Sequence, residues 1–320
     1  MDPAFLAKAQ KHWTADRVTK VTGGKKLLLQ PDQAAWLLRV MGLLNNDASM
    51  SAHAVRKYRQ INHMLALIKP DLELLCQNES KLNIIDMACG NSYMTLLLAW
   101  FFSKIHPHPV AILGIDHNSK VIAASKERAR QLGFDTILQF HAGAITQGSW
   151  QSLYASYFPT ADNETSNTPP KAPKLALLVA LHACDTASDE ALSFGVAVGA
   201  EYMAVAPCCQ AELAQQWKSL KKSAGPLRPL FASPALRRTI AADTTDLFRM
   251  LLIKTQGYSV IANEFVASEH TLKNRILLCH KRQPPMPSLQ RLAEEEYAAL
   301  KKVYAGGTIK LETLLQETGS

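Results

Sequence analysis

The sequence predicts an α/β fold built on a parallel sheet, and two stretches in its first half carry that prediction. Residues 84–93, IIDMACGNSY, have the pattern of a buried strand that runs into an acid, a small-residue turn and a helix. Residues 110–116, VAILGID, form a second strand pattern that ends in Asp116, 30 positions after Asp86. This succession predicts a nucleoside-binding crevice at the carboxyl ends of the strands.

Composition indicates an ordinary globular chain. The 320 residues are 48% hydrophobic, and the longest apolar run, residues 94–102, is far short of the ~20 residues that span a bilayer. The first residues lack the charged-then-apolar layout of an export signal. Six cysteines are thinly spread without a CxxC pair. We therefore expect a reduced, cytoplasmic protein without a metal site.

The positive charge is concentrated near the N-terminus. The net charge is +8, and residues 1–70 hold 11 Lys and Arg against 4 Asp and Glu, whereas residues 71–320 hold 24 against 23. A localised basic segment attracts polyanions, and the commonest polyanion in cytoplasm is nucleic acid. RNA is therefore the expected partner, and a basic face that serves only solubility is the alternative.

Residues 1–80 are expected to be mainly helical. Basic residues interleaved with Trp13 in residues 1–30 suit phosphate contact and stacking, or else form a partly ordered arm. Pro31 opens one expected helix. Ser51 caps a second, which Pro70 is expected to stop after Lys69. The polar side of that second helix is expected either to bind substrate or to face solvent, and its residues are Arg56, Lys57, Arg59 and Gln60.

The pattern that follows alternates strands and helices and predicts parallel pairing with right-handed crossovers. The first elements are a strand at 82–87, a helix at 93–104, a strand at 110–115, a helix at 119–132 and a strand at 136–141. Later elements are strands at 175–181 and 202–206, a helix at 244–256, an antiparallel pair at 258–266 and 275–280, and a charged helix at 288–304.

Together these features resemble class I S-adenosylmethionine-dependent methyltransferases. The resemblance covers roughly residues 80–282 and implies a Rossmann-like sheet of seven strands, mostly parallel, whose last strand is antiparallel. It divides the chain into a basic, mainly helical accessory region (1–80), a methyltransferase domain (81–283) and a helical tail (284–320). The turn DMACGNSY differs from the GxGxxG of dinucleotide enzymes, which disfavours an NAD-dependent enzyme.

The same resemblance implies a set of cofactor contacts. The first turn would pass under the methionine part of S-adenosylmethionine, and Asp116 would accept hydrogen bonds from its ribose hydroxyls. The segment HAGAI, near the adenine, departs from the common pattern because it has no Asp or Asn. The implied cofactor-binding residues are Asp86, Ala88, Cys89, Gly90, Asn91, Asp116, His117, Gly143, Ala144, Leu181 and His182.

Three later motifs narrow the resemblance to the methyltransferase-domain-32 group. They are LHACDTASDEAL after the fourth strand, APCCQ after the fifth, and SEHTLKNRILL before the last. This group includes methyltransferase-like-25 proteins and is distantly similar to tRNA 2′-O-methyltransferases that act on the acceptor stem. The zinc-finger modules of the eukaryotic tRNA enzymes are absent, so that substrate does not carry over.

Residues at the ends of strands four and five face the methyl group in this architecture. The expected catalytic residues are His182, Asp185, Cys208 and Cys209. His182 or Asp185 would orient or deprotonate an acceptor, although a structural histidine and a helix cap are the plain alternatives. Asp189 and Pro207 belong to the same expected cluster. Further substrate contacts are expected from Gln210, Lys273, Asn274 and Arg275.

The pair Pro207-Cys208 also permits the hypothesis of a covalent mechanism. A cysteine that adds to C6 of cytosine activates C5 toward methylation, but enzymes of that kind usually carry their Pro-Cys after the fourth strand. The alternative is that soft, small cysteines line a tight pocket. An (Asn/Asp)-Pro-Pro-(Tyr/Phe) motif, which holds exocyclic amines, is missing.

The sequence thus predicts an S-adenosylmethionine-dependent methyltransferase that modifies RNA, either tRNA or rRNA, at a ribose 2′-hydroxyl or a base. The competing hypotheses are a small-molecule or protein methyltransferase and a non-catalytic cofactor-binding module.

Overall fold

The computed structural model falls into two compact units, residues Met1–Pro173 and Lys174–Ser320. It describes residues 1–143, 150–158, 174–181, 183, 186–207, 211–220, 225–264 and 275–318.

The first unit opens with four helices: α1 (Pro3–His12), α2 (Ala15–Thr22), α3 (Ala35–Val40) and α4 (Ala52–Asn78). The Asp2 side chain caps α1 by accepting from the backbone N–H groups of Ala4 and Phe5, as the orphan donors of a first turn require. Trp13 is buried. Residues 1–22 are therefore packed helices, and Trp13 does not offer a free face for stacking.

Helix α4 is longer than the sequence indicated. Its start is as expected, because the Ser51 hydroxyl accepts from the Ala54 N–H at 3.1 Å. The helix then continues through Pro70 to Asn78, so the expected stop at Lys69 is wrong. An interior proline removes one backbone hydrogen bond. Burial of Ile68, Leu72 and Leu75 around it stabilises the continued helix.

The remainder of the first unit is a βαβαβ segment. Its elements are β1 (Leu82–Met87), α5 (Tyr93–Trp100), a π-helical turn (Phe101–Ile105), β2 (Val110–Asp116), α6 (Ser119–Leu132), β3 (Leu138–Ala142) and α7 (Trp150–Tyr157). Strand β2 pairs in parallel with β1 and β3, in a register that sets Asp86 beside Gly114 and Asp116 beside Ala142. Helix α5 is apolar on almost every side, as a helix buried in a core must be.

The second unit contains the other four strands. Its elements are β4 (Leu177–Ala180), α8 (Thr186–Ala197), β5 (Tyr202–Val205), α9 (Glu212–Leu220), a 3₁₀ turn (Gly225–Leu227), α10 (Arg228–Ala232), α11 (Pro234–Thr255), β6 (Tyr258–Glu264), β7 (Arg275–Lys281), α12 (Pro287–Val303) and α13 (Lys310–Thr318). Helix α11 begins ten residues before the predicted Thr244, because Pro234 is at its first turn, where proline is tolerated.

The seven strands have the order β3-β2-β1-β4-β5-β7-β6. Strand β7 is antiparallel to both β5 and β6, whereas the β4–β5 pair is parallel. The predicted fold class, a mostly parallel seven-stranded sheet with an antiparallel last strand, is confirmed. The domain boundaries at 80 and 283 stay a prediction. None of the helices in the described residues has the length and apolar content needed to cross a membrane.

Candidate functional site

The turn after β1 has an unusual backbone. Ala88, Gly90 and Ser92 all have positive φ, at 54°, 50° and 60°. Non-glycine residues rarely adopt this region, and such strain is typical of ligand-binding turns. The Cys89 N–H donates to the Ile115 carbonyl at 2.9 Å, which fastens the turn to the end of β2. The small residues therefore leave bare backbone at the strand end, as the sequence predicted.

Asp86 supports this turn from below. It is 2% exposed, and its Oδ2 accepts from the Thr95 hydroxyl at 2.6 Å. Burial raises the pKa of Asp86 to about 7, against the opposing effect of the Thr95 hydrogen bonds. The carboxyl group thus joins the end of β1 to the first turns of α5 and does not form part of the exposed surface.

Asp116 connects the ends of three strands. Its Oδ2 accepts from the Gly90 N–H and its Oδ1 accepts from the Asn118 N–H, both at 2.9 Å. Its own carbonyl accepts from the Gly143 N–H at 2.9 Å. A carboxylate offers about four acceptor positions, so two remain for a ligand. Its two hydrogen bonds fix the side chain beside the turn that follows β1.

Two further contacts fix the turn, and sequence reasoning missed both. The Ser92 hydroxyl donates to the Ser125 hydroxyl at 2.6 Å, and Ser125 donates to the Val121 carbonyl at 2.8 Å. Gly114 leaves room for the Phe140 ring, since a Cβ there would lie 2.6 Å from the ring. Neither contact has a sequence signal, because each joins residues that are 26 or more positions apart.

The exposed rim of the crevice contains Asn91 and His117, while Gly143 is half-buried. The His117 ring nitrogen Nδ1 lies 3.5 Å from Asp116 Oδ1. Arg128 donates to the Asn91 carbonyl at 3.2 Å. Cys89, in contrast, is 2% exposed, and burial raises the pKa of its thiol. Cys89 is therefore a packing residue with an inert thiol.

The basic side of α4 divides into two parts. The Lys57 ammonium lies 5.2 Å from the centre of the Tyr93 ring, at the start of α5 and beside the crevice turn. Arg59 instead donates to the Val21 carbonyl at 2.9 Å and the Lys20 carbonyl at 3.5 Å, so it caps the end of α2. Arg56 is exposed and Gln60 half-buried, and four-residue spacing places these two on one side of the helix.

In the second unit, the strand ends that precede the predicted catalytic motifs are adjacent. The Ala206 N–H donates to the Ala180 carbonyl at 2.9 Å, so β4 and β5 end at the same edge. Leu181, Ala183 and Pro207 are buried there. Eight of the predicted site residues lie outside the described residues: Ala144, His182, Asp185, Cys208, Cys209, Gln210, Lys273 and Asn274.

Asp189 belongs to a buried ion-pair network, and its expected place facing an acceptor is wrong. The Arg249 guanidinium, 1% exposed, donates to both Asp189 oxygens at 2.8 and 3.0 Å. It also donates to Asp246 at 3.2 Å. Arg275, an expected substrate contact, pairs with Asp243 at 2.6 Å and with Asp246 at 3.4 Å. These charges fasten α8 and β7 to α11.

Metal chemistry has no geometric support in the part of the chain that the structure describes, where no group of three or more His, Cys, Asp and Glu side chains converges.

Comparison with known proteins identifies the family of the chain. No curated protein matches the chain. Similar solved structures include the SAH-bound methyltransferase PaMTH1 of Podospora anserina, with 13% identity, 84% of this chain and 95% of that chain covered, and a TM-score of 0.42. The SAH complex of a Bacillus cereus O-methyltransferase has 10% identity, 85% and 100% coverage, and a TM-score of 0.41. The METTL16 methyltransferase domain has 12% identity, 88% and 92% coverage, and a TM-score of 0.37.

The family match is more specific than these structural similarities. Residues 56–216, half of the chain, match the profile of the methyltransferase-domain family numbered 32. The match includes the crevice turn, Asp116 and both later motifs at the ends of β4 and β5. The chain therefore belongs to this family and is a class I S-adenosylmethionine-dependent methyltransferase.

Proposed function

We propose that this methyltransferase modifies RNA. The observation that carries the proposal is the contact between Lys57 and Tyr93, because it brings the basic N-terminal quarter of the chain to the crevice turn. Burial lowers the pKa of Lys57, since a partly desolvated ammonium lacks the water that would stabilise its charge. A phosphate at this point would restore that stabilisation and place a nucleotide beside the methyl donor.

The residues of the crevice fit S-adenosylmethionine. The backbone of Ala88 and Gly90 is open for the methionine part, because a Cβ at Gly90 would meet only the Ala88 carbonyl, at 4.0 Å. Asp116 keeps acceptor positions for two ribose hydroxyls. Gly143, held by the Asp116 carbonyl, offers backbone to the adenine, and Asn91 and His117 form the rim. Asp86 and Cys89 act by holding this backbone in place.

The cofactor, when bound, supplies a methyl group that its sulfonium already activates. The chain must then hold the acceptor in line with that methyl group and exclude competing water. A ribose 2′-hydroxyl, or a base nitrogen that carries hydrogen, also has to lose a proton, for which we propose His182 or Asp185 as orienting or basic groups. Cys208 and Cys209 line the acceptor pocket in this proposal, with Leu181 beside it, and covalent addition to cytosine is a separate outcome to test.

The remaining details follow from the same proposal. The RNA is a cellular tRNA or rRNA in the cytoplasm, contacted by the exposed side of α4 and by residues near β7. Arg56, Lys57 and Gln60 are the α4 contacts, whereas Arg59 contributes by ordering α2. Gln210, Lys273, Asn274 and Arg275 are the proposed contacts from the second unit.

The test is transfer of tritium from labelled S-adenosylmethionine to total RNA, protein and small-molecule pools from cells that lack the protein. Label in RNA is the expected result. Label confined to protein or small molecules would reject the proposal in favour of those substrate classes. Nucleoside mass spectrometry of the labelled RNA then identifies the methylated atom, and RNA containing 5-fluorocytosine traps an adduct if a cysteine attacks C6.

A substitution connects this activity to the contact at the crevice. Lys57→Gln should raise the KM for RNA severalfold and leave the affinity for S-adenosylhomocysteine unchanged, because the cation contacts phosphate and not the cofactor. Lys81→Gln is the matched control, since Lys81 is exposed and precedes β1 at the opposite edge of the sheet. Equal KM values for the two variants would remove the support that Lys57 gives to the proposal.

A further inference from the structure

Two cavities in the first unit share one wall. The larger, of about 940 Å³, lies among the N-terminal helices, the end of α5 and the end of α6. The smaller, of about 490 Å³, lies between the segment after α2 and the middle of α4. Lys26, Leu27 and Leu28 line both cavities. The two cavities are therefore adjacent, and we call them together the Lys26 groove.

The charged residues that line the Lys26 groove are mostly cations, whereas most of its other lining residues are apolar or uncharged. Lys25 and Arg59 line its smaller part, and Lys26, Lys69 and Lys104 line or border its larger part, where Asp32 is the acid. Lys69 pairs with Glu73 at 2.6 Å. Lys26 and Lys104 are exposed and form no ion pair with any described residue. Their ammonium groups are available for phosphates along the groove.

Two half-buried tryptophans lie among these cations. Trp36 is held by its indole N–H, which donates to the Gln131 carbonyl at 3.0 Å. Trp100 ends α5, directly before the π-helical turn that carries Lys104. Cations beside aromatic faces in a groove are an arrangement that binds single-stranded nucleic acid, because phosphates meet the charges and bases stack on the rings.

The larger cavity of the Lys26 groove is separate from the crevice. Helix α5 starts at Tyr93 beside the crevice turn and reaches Trp100 about 10 Å further on. Lys104 and Ile105 precede the first residue of β2, and Leu132 and Phe134 precede β3. The larger cavity thus lies toward the amino ends of β2 and β3, whereas the cofactor residues lie at their carboxyl ends.

We propose that the Lys26 groove is a second RNA site that holds a single-stranded segment of the substrate, with phosphates at Lys26 and Lys104 and bases against Trp36 and Trp100. This inference rests on the proposed function and adds to it, because it assigns RNA capture to a place remote from methyl transfer. It also gives the local excess of basic residues a structural purpose.

The direct test is binding of fluorescein-labelled oligouridylate, about 12 nucleotides long, to the full chain. The variant Lys26→Ala/Lys104→Ala should bind about tenfold more weakly than wild type. Loss of two phosphate contacts should also reduce the slope of log K against log salt by about 1.4, since single strands release ~0.7 counterion per contact. The control Lys8→Ala/Lys126→Ala removes the same charge from two exposed lysines that line neither cavity, and it should bind as wild type does.

Stacking has its own test. Trp100→Leu keeps an apolar side chain in place and should weaken oligouridylate binding about tenfold without changing the salt slope. The midpoint of thermal unfolding is measured for Trp100→Leu and for wild type. An unchanged midpoint shows that weaker binding results from lost stacking and not from lost folding. Oligodeoxythymidylate of the same length distinguishes RNA from DNA as the bound strand.

Three results would overturn the inference: equal binding by the groove variant and the control variant, absence of oligouridylate binding by wild type, or a preference of the groove for polyglutamate, which would make it a protein-docking site. The proposed function is judged separately by tritium transfer. If wild type and the groove variant label RNA equally, the groove proposal is rejected and the proposed function stands. If oligouridylate binding depends on Lys26 and Lys104 but no RNA is labelled, the groove proposal stands and the proposed function is rejected.

Discussion

The Gly90 N–H donates to the Asp116 carboxylate at 2.9 Å, across 26 positions of sequence. The two sides of the crevice are thereby joined before any ligand arrives. A turn that is already held in its binding conformation loses less conformational entropy when it binds a ligand. The relationship also makes Asp116 the residue on which the crevice depends most directly.

Asp116→Asn should weaken binding of S-adenosylhomocysteine by about 10- to 100-fold, because an amide loses one oxygen acceptor and the negative charge. Isothermal titration calorimetry measures the effect. Asp135→Asn makes the same chemical change at an exposed position and should leave the affinity unaltered. Comparable affinities for both variants would contradict the role of Asp116 in holding the cofactor.

The raised pKa of Asp86 leads us to expect that the stability of the chain depends on pH. Its pKa is raised to about 7 in the folded chain, against ~3.9 for an unfolded Asp. Between these values the folded state binds the additional proton, so this group stabilises the fold fully below about pH 4 and loses that contribution as the pH rises through 7. A pKa that differs by one between the folded and unfolded chains corresponds to about 1.4 kcal/mol of stability.

Asp86→Asn should therefore reduce the fall in the free energy of unfolding between pH 5 and pH 8. The Asn carbonyl can still accept from Thr95, and it does not titrate. Urea denaturation at the two pH values measures the difference, with Asp135→Asn as the matched control. If the free energy of unfolding falls equally in wild type and in Asp86→Asn, the buried carboxyl group is not the source of the pH dependence.

Gly114→Ala should destabilise the chain by about 1–3 kcal/mol. Its Cβ would lie 2.6 Å from the Phe140 ring and 3.3 Å from the Cys89 sulfur, inside a close-packed contact below the crevice turn. Phe140→Leu opens that space at the cost of a smaller core residue. In a double-mutant cycle, the double variant should be more stable than the sum of the single effects predicts; additive effects would argue against the clash.

Arg249→Met should cost about 3–5 kcal/mol, because Asp189 would remain buried without a compensating charge. Asp189→Leu added to Arg249→Met should recover much of that loss, since it removes the isolated carboxylate. Chemical denaturation of the full chain measures both. Arg130→Met is the control: its partner Glu127 is exposed, and surface pairs contribute little. No recovery in the double variant would show that Arg249 acts mainly through Asp246.

The sequence predicted the bounds of helices and strands well where the residues that define those bounds lie inside or next to the element. Strand β1 and helix α6 match the predicted bounds, 82–87 and 119–132, because a β-branched run and a helix with an Asn118 cap and a final Gly133 define their own ends. Helix α4 passes Pro70 because burial on both sides of the proline outweighs one lost hydrogen bond. Helix α11 starts early for a related reason: its proline is in the first turn.

The site was predictable only in part. The position of Asp116 beside the turn was predictable because an acid at the end of a strand is a positional signal, and Asp116 does accept from the Gly90 N–H; its contact with the cofactor stays a prediction. The pairing of Asp189 with Arg249 was missed because the partners are 60 positions apart and their packing depends on the completed fold. The bonds of Arg59 to the end of α2 and the burial of Trp13 could not be predicted either, since composition gives charge and aromatic content but not the direction of a side chain.

If both proposals hold, helix α4 would fix the distance between the RNA site in the groove and the site of methyl transfer. Lys57 meets the crevice turn and Lys69 borders the Lys26 groove, and the roughly 12 residues that separate them span about 18 Å of uninterrupted helix. A strand anchored in the groove would present to the methyl donor only those nucleotides at that fixed distance. Selection of the modified position would then depend on spacing along the RNA, and inserting or deleting a helical turn in α4 would shift the position instead of abolishing the reaction.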